Sequence, residues 1–331
     1  MSAKPPTSRN SSPPAAEPAA LWPWLLAGAL GSGLLALWFP LWPHVGRVPP
    51  ADLRTFAPTL FAGLLYALLL LALHVVYLIA VGRFGQGGLV EQRPARSLLI
   101  VLLGGLLLGL PLLMAYPINA TDVYRYIIRG RVAAVYGQSP FVSPPAAFIG
   151  DPFLPLAGEW AGETSPYGPL WELVATGVAA VSGDNLLLGV VLFKLLALGG
   201  LLVGAAVIWA AVGQRPGRAV AAALWAWNPA LLLTFAMNGH NDALMLLWLL
   251  LGYLVMRRGR PAAGFLLLCL AALTKPVAAL ALPVFFIAAW RGRPDGRARA
   301  RFALVAVGGA AALIWLAFLP WAAPGRFWQT P

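Results

Sequence analysis

Apolar residues run along this chain in stretches of membrane length, separated by short clusters of arginine, glycine and proline. The first stretch, Leu21 to Trp42, holds about 20 residues, enough to cross a bilayer as one helix. Trp22, Trp24, Trp38 and Trp42 near its ends fit an interfacial aromatic belt. No small-residue cleavage site follows it, so it reads as an uncleaved helix and not as a signal peptide. Further spans are expected at 57–82, 98–116, 186–211, 219–237, 242–256 and 302–321. The stretch 262–290 is longer than one span needs and is interrupted by Thr274-Lys275-Pro276. It fits either one tilted helix or two short helices meeting at the proline.

Composition narrows the class. Hydrophobic residues make up 60% of the 331 positions and charged residues only 10%. A soluble protein of this length could not cover its surface with so few charges, so the pattern predicts an all-α integral membrane protein. The net charge of +12 could suggest a nucleic-acid partner. The arginines, however, sit in short blocks between apolar runs, as the positive-inside rule arranges them, and nucleic acid is excluded on that ground. Cys269, the single cysteine, lies in an apolar run and rules out an intrachain disulfide or a cysteine-based metal cluster. Residues 1–20, rich in Pro, Ser and Ala, are expected to form a disordered cytoplasmic tail. Residues 21–331 then form a single transmembrane domain.

The arginine blocks settle the ambiguous stretch. With the N-terminus in the cytoplasm, the loops holding Arg83, Arg93 and Arg96, then Arg215 and Arg218, then Arg257, Arg258 and Arg260 all fall inside. One pass across 262–290 would put Arg291, Arg293, Arg297, Arg299 and Arg301 outside, a severe breach of the rule. A broken hairpin at 262–290 restores it, gives about nine membrane segments, and turns Lys275 outward at the apex. The protein is then expected to be multi-pass in the cytoplasmic (inner) membrane, with 117–184 as a long extracytoplasmic loop. A loop of that length is rarely an idle connection. Within it, Pro169 to Val181 is expected to form a short interfacial helix.

Candidate chemistry follows from scarce polar residues. Only 11 acids occur, and Asp122 is placed directly at a membrane exit beside Tyr124, Arg125, Tyr126, Arg129 and Arg131. A helix starting at Thr121 puts Arg125 and Arg129 on one face, with Asp122 three residues before Arg125. The bland alternative is a salt-bridged helix end with Thr121 or Asp122 as N-cap. The turn Asn238-Gly239-His240-Asn241-Asp242 is the second cluster, and it is either a tight capped turn or a binding element. No second histidine or acid lies at ligand spacing from His240, which speaks against a metal there. Lys275, a cation at a helix break, and Lys194, well inside its span, are ionisable groups at membrane depth, which are usually functional. Lys194 could pair with a buried acceptor, line a lipid groove or snorkel. Tyr167-Gly168-Pro169-Leu170-Trp171-Glu172 reads as a turn opening a helix with Pro169 in its first position. Its aromatic rings beside a carboxylate also suit a sugar platform. Topology was assigned without Asp122, His240, Asp242 or Lys275, yet all four fall on or near the outer face.

Taken in order, these motifs resemble a known family. They are Asp122-Val123-Tyr124-Arg125-Tyr126, Gly130-Arg131, Gly137-Gln138-Ser139-Pro140-Phe141, Ser165-Pro166-Tyr167-Gly168-Pro169-Leu170-Trp171, Asn228-Pro229, Gly239-His240-Asn241-Asp242-Ala243-Leu244-Met245 and Lys275-Pro276. The sequence over about residues 95–290 is similar to polyprenol-phosphate-mannose-dependent α-1,6-mannosyltransferases, membrane enzymes of the GT-C glycosyltransferase fold. The resemblance implies an inverting transfer on the extracytoplasmic side, from a polyprenyl-phosphate sugar to a hydroxyl of a glycan or glycolipid in the cell envelope. It implies Asp122 as general base. By analogy Arg125, Arg129, Lys275 and Lys194 are candidates for the donor phosphate and lipid. Tyr124, Tyr167, Trp171, His240, Asn241 and Asp242 are candidates for the sugar or acceptor. No nucleotide or other cofactor is expected, in keeping with the lack of a phosphate-binding glycine motif, and a divalent-metal requirement is left open. The chain stops at Pro331, whereas family members usually continue, so C-terminal helices are expected to be lacking. The rival readings are a membrane transporter or flippase, where broken helices and intramembrane lysines also occur, and a non-catalytic scaffold of the same fold.

Overall fold

A computed structural model describes residues 21–86 and 93–322; the tail expected to be disordered, 1–20, lies outside them. Among the described residues every regular element is a helix, apart from one isolated bridge between Pro40 and Ala115. The apolar runs became helices. They are α1 (Trp22–Trp38), α2 (Leu60–Gln86), α3 (Pro94–Leu113), α6 (Leu186–Val212), α7 (Arg218–Ala226) with α8 (Pro229–Met237), α9 (Asp242–Arg257), α10 (Pro261–Thr274), α11 (Leu282–Arg291) and α12 (Gly296–Phe318). Between α3 and α6 lie α4 (Asp122–Ala134) and α5 (Pro169–Ser182), both inside the long loop.

Four helices are long and apolar enough to cross a bilayer by themselves, and a fifth span is possible if α7 and α8 count as one. The remaining apolar helices, α1 among them, have 17 residues or fewer. The protein is therefore a multi-pass helical membrane protein with four or five such spans by length and composition. α1 ends at Trp38 with Phe39 as its C-cap, earlier than the expected Trp42, because Pro40 follows and the residue before a proline is pushed out of the helical region. The expected single span at 219–237 is two segments bent by 46°. Asn228 leaves the helix with extended backbone and its side chain caps α8, accepting from the Ala230 and Leu231 N–H groups at 2.9 and 3.4 Å.

The stretch 262–290 does break at Lys275, whose backbone is extended. Phe265 near the start of α10 packs against Phe286 near the end of α11, with ring centroids 5.4 Å apart. In one continuous helix those residues would be separated by roughly 30 Å. The chain reverses, and the ends of α10 and α11 meet.

α6 occupies the centre, packed against α3, α7, α8 and α9, with Val190, Phe193, Leu201 and Ala205 wholly buried. The helices α2 and α12 are the most exposed of the long ones, as lipid-facing helices should be. α4 is amphipathic by sequence but is buried on almost every side. It crosses α5 at Gly130, where an added Cβ would stand 2.2 Å from the Ala175 carbonyl oxygen.

Candidate active site

α4 begins at Asp122, and its carboxylate is the hub of a closed ring of contacts. Oδ1 accepts from the Arg125 guanidinium and from the Tyr167 hydroxyl, each at 3.1 Å. Oδ2 lies 3.8 Å from His240 Nε2, beyond hydrogen-bond range. His240 Nδ1 in turn lies 3.6 Å from Asp242 Oδ2, and that oxygen accepts from Lys275 Nζ at 2.7 Å. The ring closes through the backbone, because the Gly168 N–H donates to the Thr274 carbonyl at 3.1 Å. Tyr167 and Lys275 are thereby fixed relative to each other from two separate parts of the chain. Only glycine fits at 168, since a Cβ there would stand 2.0 Å from the Leu273 carbonyl oxygen.

The His240 turn owes its shape to the end of α8, which widens into a π-helix over Leu233–Met237, a distortion frequent at functional sites. Gly239 then takes φ +70°, a conformation open to glycine, and lies close against Lys194 and Val123. The turn is rich in buried groups without partners: Asn238 Oδ1 and both side-chain polar atoms of Asn241 make no hydrogen bond. Such orphans are rare, and each calls for an explanation.

Beneath the ring lies an aromatic floor. Tyr126 packs edge-on against Tyr167 and Trp171 at 5.1 and 4.8 Å, and against Phe193 at 5.5 Å. Burial pushes the Tyr167 hydroxyl up, as does Asp122 beside it, so this hydroxyl acts as a donor and not as an anion. Arg129 is buried with no ion-pair partner among the described residues; its guanidinium faces the Tyr167 ring at 5.8 Å and its Nε has no hydrogen bond. Glu172, also buried, accepts from the Ser165 hydroxyl through Oε1, while its Oε2 is unpartnered. Burial raises the Glu172 carboxyl to about 7 against the opposing pull of Ser165 and Arg129.

The ring unites Asp122, Arg125, Tyr167, His240, Asp242 and Lys275, with Arg129 and Asn241 just beneath. Three expected site residues are placed in the interior instead. Trp171 forms part of the floor, and Glu172 on the same turn is buried too. Tyr124 points away toward Tyr116, its hydroxyl without a partner. Lys194 is fully buried, and its ammonium donates to the Leu112, Leu113 and Ala115 carbonyls where α3 ends. Of its expected alternatives, the buried acceptor is the one seen. Sequence reasoning missed Trp160, on whose ring the Arg125 guanidinium lies at 4.6 Å. No pattern in the sequence marks it, because the contact depends on where the Arg125 side chain points.

Residues 24–291 match the family described as alpha-(1->6)-mannopyranosyltransferase, N-terminal domain. The chain belongs to this alpha-(1->6)-mannopyranosyltransferase family. It is 34% identical over 177 residues to alpha-(1->6)-mannopyranosyltransferase A of Corynebacterium glutamicum, covering 52% of this chain and 35% of that protein. To the protein of the same name from Mycobacterium tuberculosis it is 32% identical over 188 residues, covering 54% of this chain and 35% of the relative. A probable alpha-(1->6)-mannopyranosyltransferase of Mycolicibacterium smegmatis is 35% identical over 193 residues, with coverage of 56% and 33%. The matched region spans about a third of the length of these curated relatives. No solved structure matches.

Proposed function

We propose that this member of the mannopyranosyltransferase family transfers a mannosyl group from a polyprenyl-phosphate donor to a hydroxyl of a membrane or envelope glycan, on the extracytoplasmic side and with inversion at the anomeric carbon. The GT-C fold, the placement in the inner membrane and the nine-segment topology belong to the same reading. The asymmetry of the Asp122 carboxylate carries it. Oδ1 is held by Arg125 and Tyr167, whereas Oδ2 makes no hydrogen bond and faces His240.

On this reading Oδ2 takes the proton of the acceptor hydroxyl as its oxygen bonds to the anomeric carbon. The bond from that carbon to the phosphate oxygen breaks, and the phosphate leaves with the electron pair. Arg129 supplies the cation for the charge that develops there; it is buried and has no ion-pair partner among the described residues. Its forked donors match phosphate oxygens. Lys275, tied to Asp242, adds a second positive group on the same side. His240, Asn241, Asp242 and Tyr167 then contact the sugar or acceptor, while Tyr124, Trp171 and Lys194 act from the interior by holding these groups in place.

The test compares membranes containing wild-type protein with Asp122→Asn, supplied with polyprenyl-phosphate mannose and crude lipid acceptors. Loss of a general base lowers transfer about 10²–10⁴-fold. Equal transfer by both proteins would remove Asp122 from that role.

A further inference from the structure

At the end of the bundle opposite Asp122 and Lys275, three helix ends are pinned together. Phe265 of α10, Phe286 of α11 and Phe302 of α12 pack ring to ring, with centroids 5.4, 5.3 and 6.4 Å apart. Each of these ends carries arginines. Arg257, Arg258 and Arg260 precede α10, Arg291 and Arg293 close α11, and Arg297, Arg299 and Arg301 lie in the first turns of α12. Most of them are exposed, and none forms an ion pair among the described residues. The one acid in these segments, Asp295, is already committed, since its carboxylate accepts from the Ala298 N–H at 2.8 Å as the cap of α12. The positive dipole ends of α10 and α12 point the same way, and α10 starts without a side-chain cap.

The positive-inside rule accounts for arginines on one membrane face. It does not require three blocks to converge on a single acid, Asp295, that forms no ion pair with any of them among the described residues. Nor does it explain Arg299, whose guanidinium lies 5.1 Å over the Trp290 ring while its Nε is buried and unpartnered. Next to this cluster the outward surface is apolar: Val284 and Ile287 of α11 and Leu304 of α12 are exposed. A ligand suited to the place carries an anionic group and an apolar chain on one molecule.

We propose that the converging ends of α10, α11 and α12 bind the headgroup phosphate of an anionic phospholipid, with its acyl chains along the exposed faces of α11 and α12. The proposal is independent of the transfer reaction and of which membrane leaflet is involved. Bound there, the lipid would neutralise the mutual repulsion of the arginine blocks and hold the reversed α10–α11 pair closed from its open end.

The test reconstitutes the purified full chain in phosphatidylcholine nanodiscs with or without phosphatidylglycerol. After extraction into detergent, retained lipid is read by native mass spectrometry and thermal unfolding is followed in parallel. Wild type should keep phosphatidylglycerol and gain stability from it. The triple variant Arg297→Gln, Arg299→Gln, Arg301→Gln should lose affinity on the order of a hundredfold, given roughly fivefold per arginine near an anionic surface. Arg257→Gln with Arg258→Gln, on the other loop, should weaken retention in the same direction, which covers the case of a triple variant that does not fold. Retention should also fall as salt rises. Equal retention of both lipids by wild type, or retention unaffected by either variant or by salt, overturns the proposal. Protection reproduced by inorganic phosphate alone assigns a free-phosphate site instead, and protection by an oligonucleotide or acidic peptide without lipid assigns a macromolecular partner; either result overturns it as well.

Discussion

Lys275 Nζ lies 2.7 Å from Asp242 Oδ2 although the two residues are 33 apart in the chain. The pair forms because the chain turns back at Arg258–Arg260 and α9 and α10 pack side by side, which brings the start of α9 next to the end of α10. Both side chains are 28% exposed, so the bond itself contributes at most about 1 kcal/mol to stability. Lys275→Met should therefore shift the unfolding midpoint little while raising KM for the donor, and Lys275→Arg should recover much of the affinity. A stability loss much larger than that bound, seen in detergent unfolding, would make the lysine structural.

Gly168→Ala should be among the most damaging small substitutions. The added carbon meets backbone at 2.0 and 2.3 Å, the Leu273 carbonyl oxygen and carbon, and backbone cannot step aside as a flexible side chain can. Overpacking of this kind costs about 1–3 kcal/mol or more. Gly177→Ala on the neighbouring α5 meets nothing within 4 Å and should be neutral or stabilising by up to about 1 kcal/mol, from helix propensity alone. Unfolding midpoints of the two variants provide the comparison.

Glu172 sets a pH dependence of stability. It belongs to α5 in the long loop, outside the membrane-spanning segments, and burial raises it to about 7. A group that holds its proton more tightly when folded stabilises the fold fully below its unfolded value, in the ordinary carboxylate range, and that contribution is lost as pH rises through about 7. The difference is on the order of 3 kcal/mol between about pH 5 and about pH 8. Glu172→Gln should flatten the profile over that window, as read by thermal unfolding in detergent. An unchanged slope would mean that Glu172 is not the titrating group.

Lys194→Met tests the interior cation. Removing the ammonium leaves the Leu113 and Ala115 carbonyls at the end of α3 without a donor, while Leu112 keeps its bond from the Ala115 N–H, at about 1–3 kcal/mol for each buried unsatisfied group. The unfolding midpoint should fall. Transfer should fall with it, because Lys194 also supports Gly239 beneath the His240 turn.

The helices were legible because lipid-facing and buried residues are both apolar, which leaves long runs bounded by arginine and proline. The reversal at Lys275 was legible from charge alone: the Arg291–Arg301 block could not share a face with the site. The bend at Asn228 was not read, since Asn-Pro within an apolar run is short and its capping geometry appears only once the chain folds. The partners of Lys194 were invisible for a different reason. They are backbone carbonyls, which every residue carries, so no side-chain pattern marks them. Trp160 escaped because its role depends on where Arg125 points, and a loop sequence does not encode that direction.

The contact between Gly168 and the Leu273–Thr274 backbone has a mechanical meaning. It welds the loop bearing Tyr167 to the apex bearing Lys275, so neither can swing without the other. If the mouth of the site opens to admit a lipid-borne sugar, it must do so as one moving part, hinged elsewhere, with its hydroxyl and its ammonium arriving at the carboxylates together.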